Sequence, residues 1–417
     1  MKLSPAPAAR AAGIVAISCV AWCVARWLGA SAFDAGLLAV GASAPFAVRR
    51  LPAARRRRLL TIELPVLVAA CVGLAAAMAS STRVGDAALP WGSICVFAGY
   101  VLLWVVALRL LHAGALALAA RLLRSDAAAR SSAAVATLAL GMPWLFVALQ
   151  THRVAVPERP AAAFSLQHAR TVSFATEDGV TLRGTWLHHG RRDDARRPAA
   201  IVCHGLGANR AMFFDYADLL WTHGCDVLAF DFRAHGASGG FVTTLGADEV
   251  LDVRAAAAWV RSQPSRADAP IVLVGVSMGG ATVLRAAADV AAAAVFAESS
   301  YADLGAMVDG RFAALGPFAG VAAWLVSLAA YCQLGVATDA ISPRASLAAL
   351  DGAVPVTLVH AGDDEVVPLA QGRALAAARR GGELHVIDGA RHGGCSITGR
   401  ARVDELLAEL LARLPSR

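Results

Sequence analysis

The chain has 417 residues, 57% of them hydrophobic and 17% charged, with a formal net charge of +7 and a mean hydropathy of +0.56. A soluble domain is about 45–50% apolar and about 25% charged, so this composition excludes disorder, a collagen-like chain and a disulfide-stapled mini-protein, and points to membrane segments. Residues 1–150 hold fourteen basic against four acidic side chains and residues 151–417 hold 24 against 27, so the excess belongs to the first third and, without alternating arginine and aromatic residues, indicates no nucleic-acid partner.

Apolar runs fall at 11–29, 33–48, 59–79, 91–111 and 133–149. A membrane-crossing helix takes about 20 apolar residues, which the third and fourth runs satisfy. The second is short and holds Gly36, Gly41 and Pro45, so a tilted span and a re-entrant hairpin with the first run are both open. Lys2 and Arg10 precede the first run; Arg49, Arg50 and Arg55 to Arg58 follow the second; Arg121, Arg124 and Arg130 follow the fourth. Basic residues stay on the cytoplasmic side. Five spans starting inside therefore put the residues after 150 outside, in the periplasm of a bacterium, and loss of the second span reverses that side. Ala30-Ser31-Ala32 has the form of a signal-peptidase site, but further spans follow it and favour uncleaved insertion. Arg26, Glu63 and Arg109 lie near the ends of their runs. A transporter places such groups mid-membrane, so residues 1–150 read as an anchor of about five spans and 151–169 as a linker.

After Pro157 and Pro160 the pattern changes. Arg170 to Thr176 and Val180 to Leu187, joined by Glu177-Asp178-Gly179, read as a hairpin, and 191–198 as a charged surface loop. Short apolar runs at 200–203, 226–230, 271–275, 293–297, 355–360 and 384–388 alternate with helical stretches near 210–223, 246–262, 279–290, 343–350, 368–380 and 400–414. Alternation of this kind predicts an α/β domain with a mostly parallel sheet covered on both faces, whose ligands bind past the carboxyl ends of the strands. The insertion at 301–342, apolar and broken at Gly316-Pro317, reads as a helical cap over Ser277, with ordinary core helix as the alternative; its stripe of Trp324, Leu325 and Leu328 is also suited to rest against a bilayer. The eight cysteines form no CxxC pair and no Cys/His metal spacing.

Four segments after predicted strands carry chemistry. Val202-Cys203-His204-Gly205-Leu206-Gly207 is a glycine-rich loop whose backbone can approach a substrate carbonyl oxygen; His204 reads as shaping that loop. Val274-Gly275-Val276-Ser277-Met278-Gly279-Gly280 matches G-x-S-x-G, in which glycines permit the tight turn that lifts a serine above the sheet. The Met278 N–H then supplies an oxyanion donor. Leu358 to Pro368 holds three consecutive acids, Asp363, Asp364 and Glu365, one of which can orient a histidine; Glu298, at the end of the run 293–297, is a fourth candidate. Asp388-Gly389-Ala390-Arg391-His392-Gly393-Gly394 offers that histidine, and the chain order serine, acid, histidine is the discriminating feature.

On these motifs, residues from about 170 to 414 resemble the α/β-hydrolase superfamily, in its bacterial lysophospholipase-like and serine-aminopeptidase-like branch. Asp231 to Gly239 resembles that family's D-x-R-G-H-G-x-S loop, departing at Ala234 where glycine is usual; Gly246, Glu249 and Asp252 fall at its usual spacing as fold-holding contacts. The resemblance implies an α/β-hydrolase fold over 170–417 with a cap at about 301–342. It also implies a triad of Ser277, Asp364 and His392, oxyanion donors at Leu206 and Met278, and no metal or organic cofactor. Asp364 follows from the family's G-x-x-D-x-x-V-P pattern. His360-Ala361-Gly362 departs from the usual His-Gly pair, which leaves Asp363 as an alternative. The activity implied is cleavage of acyl esters, lipophilic ones on a membrane anchor, with peptide cleavage and acyl transfer by the same triad as alternatives. A catalytically silent receptor or scaffold is the competing reading from another class, and an intact triad speaks against it. The partners expected are a small-molecule or lipid ester and the bilayer.

Overall fold

The computed structural model describes scattered residues between 112 and 123, then 125–151, 169–189 and 197–414. The first four apolar runs, their arginine-rich flanks except Arg130, the Ala30-Ser31-Ala32 site, most of the linker and most of the charged loop at 191–198 lie outside the described residues. The fifth run lies within a 26-residue helix, α1 (Asp126–Thr151).

Eight strands build one sheet: β1 (Ala169–Ala175), β2 (Thr181–Leu187), β3 (Ala199–Cys203), β4 (Asp226–Asp231), β5 (Ile271–Val276), β6 (Ala294–Glu298), β7 (Val356–Ala361) and β8 (Leu384–Ile387). Their spatial order is β1-β2-β4-β3-β5-β6-β7-β8. The predicted hairpin pairs antiparallel, Ala169 opposite Leu187, and β2 runs antiparallel to β4; β4, β3, β5, β6, β7 and β8 are parallel. Each predicted strand is matched to within about one residue, because a strand covered on both faces reads as an unbroken apolar run.

Alternation along the strands sorts the core into two layers. Ala199, Ile201 and Cys203 of β3 join one buried cluster with Leu228 and Phe230 of β4. Ala200 and Val202 join the other with Val227 and Ala229. Helices seal each side: α2 (Phe214–Thr222), α3 (Glu249–Arg261), α4 (Met278–Ala286), α7 (Pro343–Ala349), α8 (Leu369–Ala377), the short α9 (Cys395–Thr398) and α10 (Arg400–Ala412), while α5 (Leu304–Phe312) and α6 (Ala319–Leu334) occupy the insertion. The seal follows from helical spacing. Val253, Ala256, Ala257 and Val260 of α3 are buried, as are Val403, Leu406, Leu407 and Leu410 of α10.

From β3 the chain passes to β4 on one side, then returns to β5 on the other. The order of strands reverses there, which opens a crevice at their carboxyl ends. The loop after β3 and the serine after β5 both emerge at that point.

The insertion is helical, as expected. Contacts assign its parts differently: among the described residues, Val321–Val336 group with those of α1, whereas Thr151–Gly320 and Ala337–Arg417 form the unit that contains the sheet. Within the first unit the Gln333 amide donates to the Trp144 carbonyl at 3.0 Å.

Candidate active site

Ser277 sits between β5 and α4 at φ 57°, ψ −119°, a region that costs a non-glycine residue about 1–3 kcal/mol. The flanking glycines allow the turn. A Cβ on Gly275 would run into the backbone of Gly279, and one on Gly279 into the carbonyls of Cys203 and His204. The Ser277 N–H donates to the Glu298 carbonyl at 2.8 Å, tying the turn to the end of β6. Met278 begins α4, where the first N–H groups of a helix have no partner within it.

The structure brings Ser277, His392 and Asp364 together. His392 Nε2 lies 2.9 Å from Ser277 Oγ, and His392 Nδ1 lies 2.8 Å from Asp364 Oδ2. Asp364 Oδ1 also accepts the N–H groups of Val366 at 2.9 Å and Val367 at 2.8 Å. Burial alone would raise the Asp364 pKa; the hydrogen bond from His392 and those two amides outweigh it and hold the carboxyl below its ordinary range. It is therefore an anion at neutral pH, which suits an Nδ1–H tautomer on His392 and leaves Nε2 to accept from the serine.

The other acids have different occupations. Asp363 is exposed, and its N–H donates to the Ala390 carbonyl at 2.9 Å. Glu365 pairs with exposed Arg391 at 2.5 Å. Glu298 is fully buried and accepts from the Tyr216 hydroxyl and from Cys395 N–H at 3.1 Å; burial raises its pKa. Tyr216 had no sequence signal, since its role depends on α2 and β6 meeting, while Glu298 was visible only as an acid at a strand's carboxyl end.

The loop after β3 rests directly on the serine: a Cβ on Gly205 would stand 3.2 Å from Ser277 Cβ. Two histidines brace this loop. His204 Nδ1–H donates to the Gly205 carbonyl at 2.8 Å, and its Nε2 accepts Phe232 N–H at 3.0 Å. His235 Nε2 accepts Gly207 N–H at 3.1 Å, and its Nδ1–H donates to the Arg233 carbonyl at 2.8 Å. Burial first, and the Arg210 charge with it, lower the His204 pKa to about 4. A neutral imidazole with both nitrogens engaged by backbone is a loop brace, as expected from the sequence.

The Asp231 to Gly239 loop is likewise fold-holding. The Asp231 carboxylate accepts the N–H of Arg210 at 2.7 Å and of Ala237 at 2.8 Å, and Arg233 forks onto Asp252 at 2.9 and 2.7 Å. Glu249 accepts from Thr243, Thr244 and Gly246. Ala234 takes φ 58°, the left-handed geometry that explains why glycine is usual there. Among the described residues no cluster of histidine, cysteine and acids is arranged to hold a metal ion, and Cys203, Cys225, Cys332 and Cys395 are free thiols.

The chain is similar to several known proteins. An uncharacterized protein of Mycobacterium tuberculosis is 32% identical over 145 residues, 35% of this chain. A thiohydrolase of Aspergillus aculeatus is 35% identical over 119 residues, 28% of this chain and 36% of its own length. The chain spans about half the length of the first curated relatives it matches. Among solved structures, an esterase of Pyrococcus furiosus superposes with a TM-score of 0.48 at 25% identity, covering 62% of this chain and 98% of that one. Residues 200–406 match the model of the Alpha/beta hydrolase family, and the domain these residues build, a mostly parallel sheet flanked by helices with a serine on the turn after β5, is an α/β-hydrolase domain.

Proposed function

We propose that this chain is a membrane-anchored serine hydrolase that cleaves carboxylic esters through an acyl-serine intermediate. The observation that carries the reading is the continuous relay from Ser277 Oγ to His392 at 2.9 Å and on to Asp364 at 2.8 Å. In the mechanism, His392 Nε2 takes the Ser277 proton as Oγ attacks the acyl carbonyl carbon. Asp364 holds the imidazole in its tautomer and stabilises the imidazolium without taking the proton. The N–H groups of Leu206 and Met278 receive the oxyanion, a donor pair whose members are each worth about 10²–10³ in rate. The imidazolium then protonates the leaving alcohol, and His392 activates water to release the acid.

The apolar insertion and the apolar first third favour a lipophilic acyl chain, with lysophospholipids as one such class. The same relay also serves peptide bonds and acyl transfer, because a fold does not define a substrate. The arginine-rich flanks favour a catalytic domain on the periplasmic side of a bacterial inner membrane.

Fluorophosphonate labelling of the purified membrane protein tests the reading. The wild type is expected to label and Ser277→Ala not to, with ester hydrolysis rising along a series of longer acyl chains. A folded wild type that does not label overturns it and leaves the silent scaffold.

A further inference from the structure

Helix α6 has its side chains sorted the wrong way for water. Val321, Trp324, Leu328 and Tyr331, spaced as one helical stripe, are exposed, Trp324 at 62%. The opposite stripe, Ala323, Val326, Ala330 and Gln333, is buried, and its one amide points inward to bond the Trp144 carbonyl. Phe318, just before the helix, is 72% exposed. No charged residue occurs between Arg311 and Asp339. An exposed apolar stripe of this size marks an interaction surface, and the inversion, with large apolar groups outward and the amide inward, is the distribution that hydrocarbon solvent selects.

The helix is long and apolar enough to suggest a span together with α5, but two facts oppose crossing. The chain leaves the sheet-containing unit at Gly320 and re-enters it at Ala337, so a single crossing would put the two parts of that unit on opposite sides of the bilayer. Its 16 residues also reach only about 24 Å at 1.5 Å each, short of a hydrocarbon core of about 30 Å. The preceding arm, α5, carries Asp309 and Arg311, and Gly316 at φ 56° with Pro317 breaks the chain between the two. Only the second arm is uncharged.

We infer that α6 is a monotopic membrane element, lying in one leaflet with the Val321, Trp324, Leu328 and Tyr331 stripe in the acyl region of the bilayer. Apolar helix faces settle about 5–10 Å into the boundary between headgroups and acyl chains, and tryptophan and tyrosine are the residues that favour that depth. This element comes from the insertion between β6 and β7 and adds to the apolar runs of the first third.

The test uses the full chain in phospholipid nanodiscs, with the photo-reactive benzoylphenylalanine in place of Trp324 in one variant and of Ile397 in another. Ile397 is as exposed as Phe318 but belongs to the sheet-containing unit. Irradiation is expected to give a phospholipid adduct at 324, detected by mass spectrometry, and none at 397. Adducts at 324 only to a second copy of the chain, or equal lipid adducts at both positions, overturn the inference. Fluorophosphonate labelling on the same samples separates the two readings: lipid adducts without labelling sink the enzyme, and labelling without lipid adducts sinks the membrane element.

Discussion

Glu298 holds the Ser277 turn and the His392 loop in register. Its backbone carbonyl accepts Ser277 N–H at 2.8 Å, and its side chain accepts the N–H of Cys395 at 3.1 Å, three residues past His392. One residue at the end of β6 thus grips both loops whose side chains meet at 2.9 Å. Glu298→Ala leaves the Tyr216 hydroxyl and the Cys395 amide buried without this acceptor, at about 1–3 kcal/mol each, and frees the His392 loop. Steady-state kinetics are expected to show kcat reduced by about 10²-fold with KM little changed. Glu298→Gln keeps an acceptor for Cys395 and a donor for Tyr216, so it should restore most of the rate. An equal loss in both variants would remove Glu298 from this positioning role.

Asp364→Asn should lower kcat by about 10⁴-fold, because an amide no longer stabilises the imidazolium or enforces its tautomer. Asp363→Asn should stay near wild type, since the backbone N–H of Asp363, not its carboxylate, bonds Ala390. Reversal of that ranking would move the acid by one residue.

Ser277→Gly should unfold at higher temperature than the wild type. It abolishes fluorophosphonate labelling and relieves the backbone at φ 57°, ψ −119°, a strain of about 1 kcal/mol or more. Thermal unfolding in detergent, followed by near-UV circular dichroism, measures the shift; a lower midpoint would show that the turn is not strained.

The His204 contribution to stability should fall as pH drops from about 6.5 towards 4, the interval between the ordinary His204 pKa and its value in the fold. The sign follows from proton counting: in that window the unfolded chain binds a proton that the folded chain refuses, so acid favours unfolding. Geometry gives the cause, because a protonated Nε2–H would face the Phe232 N–H donor at 3.0 Å. The loss is at most about 3 kcal/mol. The difference between wild type and His204→Ala isolates this contribution from that of Asp252 and Glu298, whose raised pKa values act with the opposite sign; denaturation midpoints should show the wild-type advantage shrinking as pH falls. Asp364, whose pKa is lowered, acts in a separate window: its stabilisation persists above its ordinary pKa of 3.8 and is lost as pH falls below that.

Each β segment was legible in the amino-acid order because a doubly covered strand must be an uninterrupted apolar run, and the longer helices of the sheet domain because one face must meet the sheet; the four-residue α9 was not, being too short to show a period. Gly275, Ser277 and Gly279 were legible for a steric reason: two glycines are needed where backbone passes against backbone. Adjacency of acids, by contrast, carries no direction. Asp363, Asp364 and Glu365 are consecutive, yet one is exposed, one bonds His392 and one pairs with Arg391. The resemblance singled out Asp364 by its spacing to Val367-Pro368; the physical distinction comes from the turn after β7, with the Val366 and Val367 amides folded onto Asp364.

The order of residues alone determined the α/β class and the alternation of strand with helix, and it singled out the serine and histidine that the structure brings together, because these depend on local spacing. Tertiary structure decided what depends on segments far apart in the chain. It set Glu298 with Tyr216 and Cys395, residues separated by 82 and 97 positions, made a loop brace of His204 by giving both its nitrogens backbone partners, and turned the large side chains of α6 outward while its amide faced Trp144. Periodicity tells which residues share a face of a helix; which face meets protein and which is left open is decided only when the chain has folded.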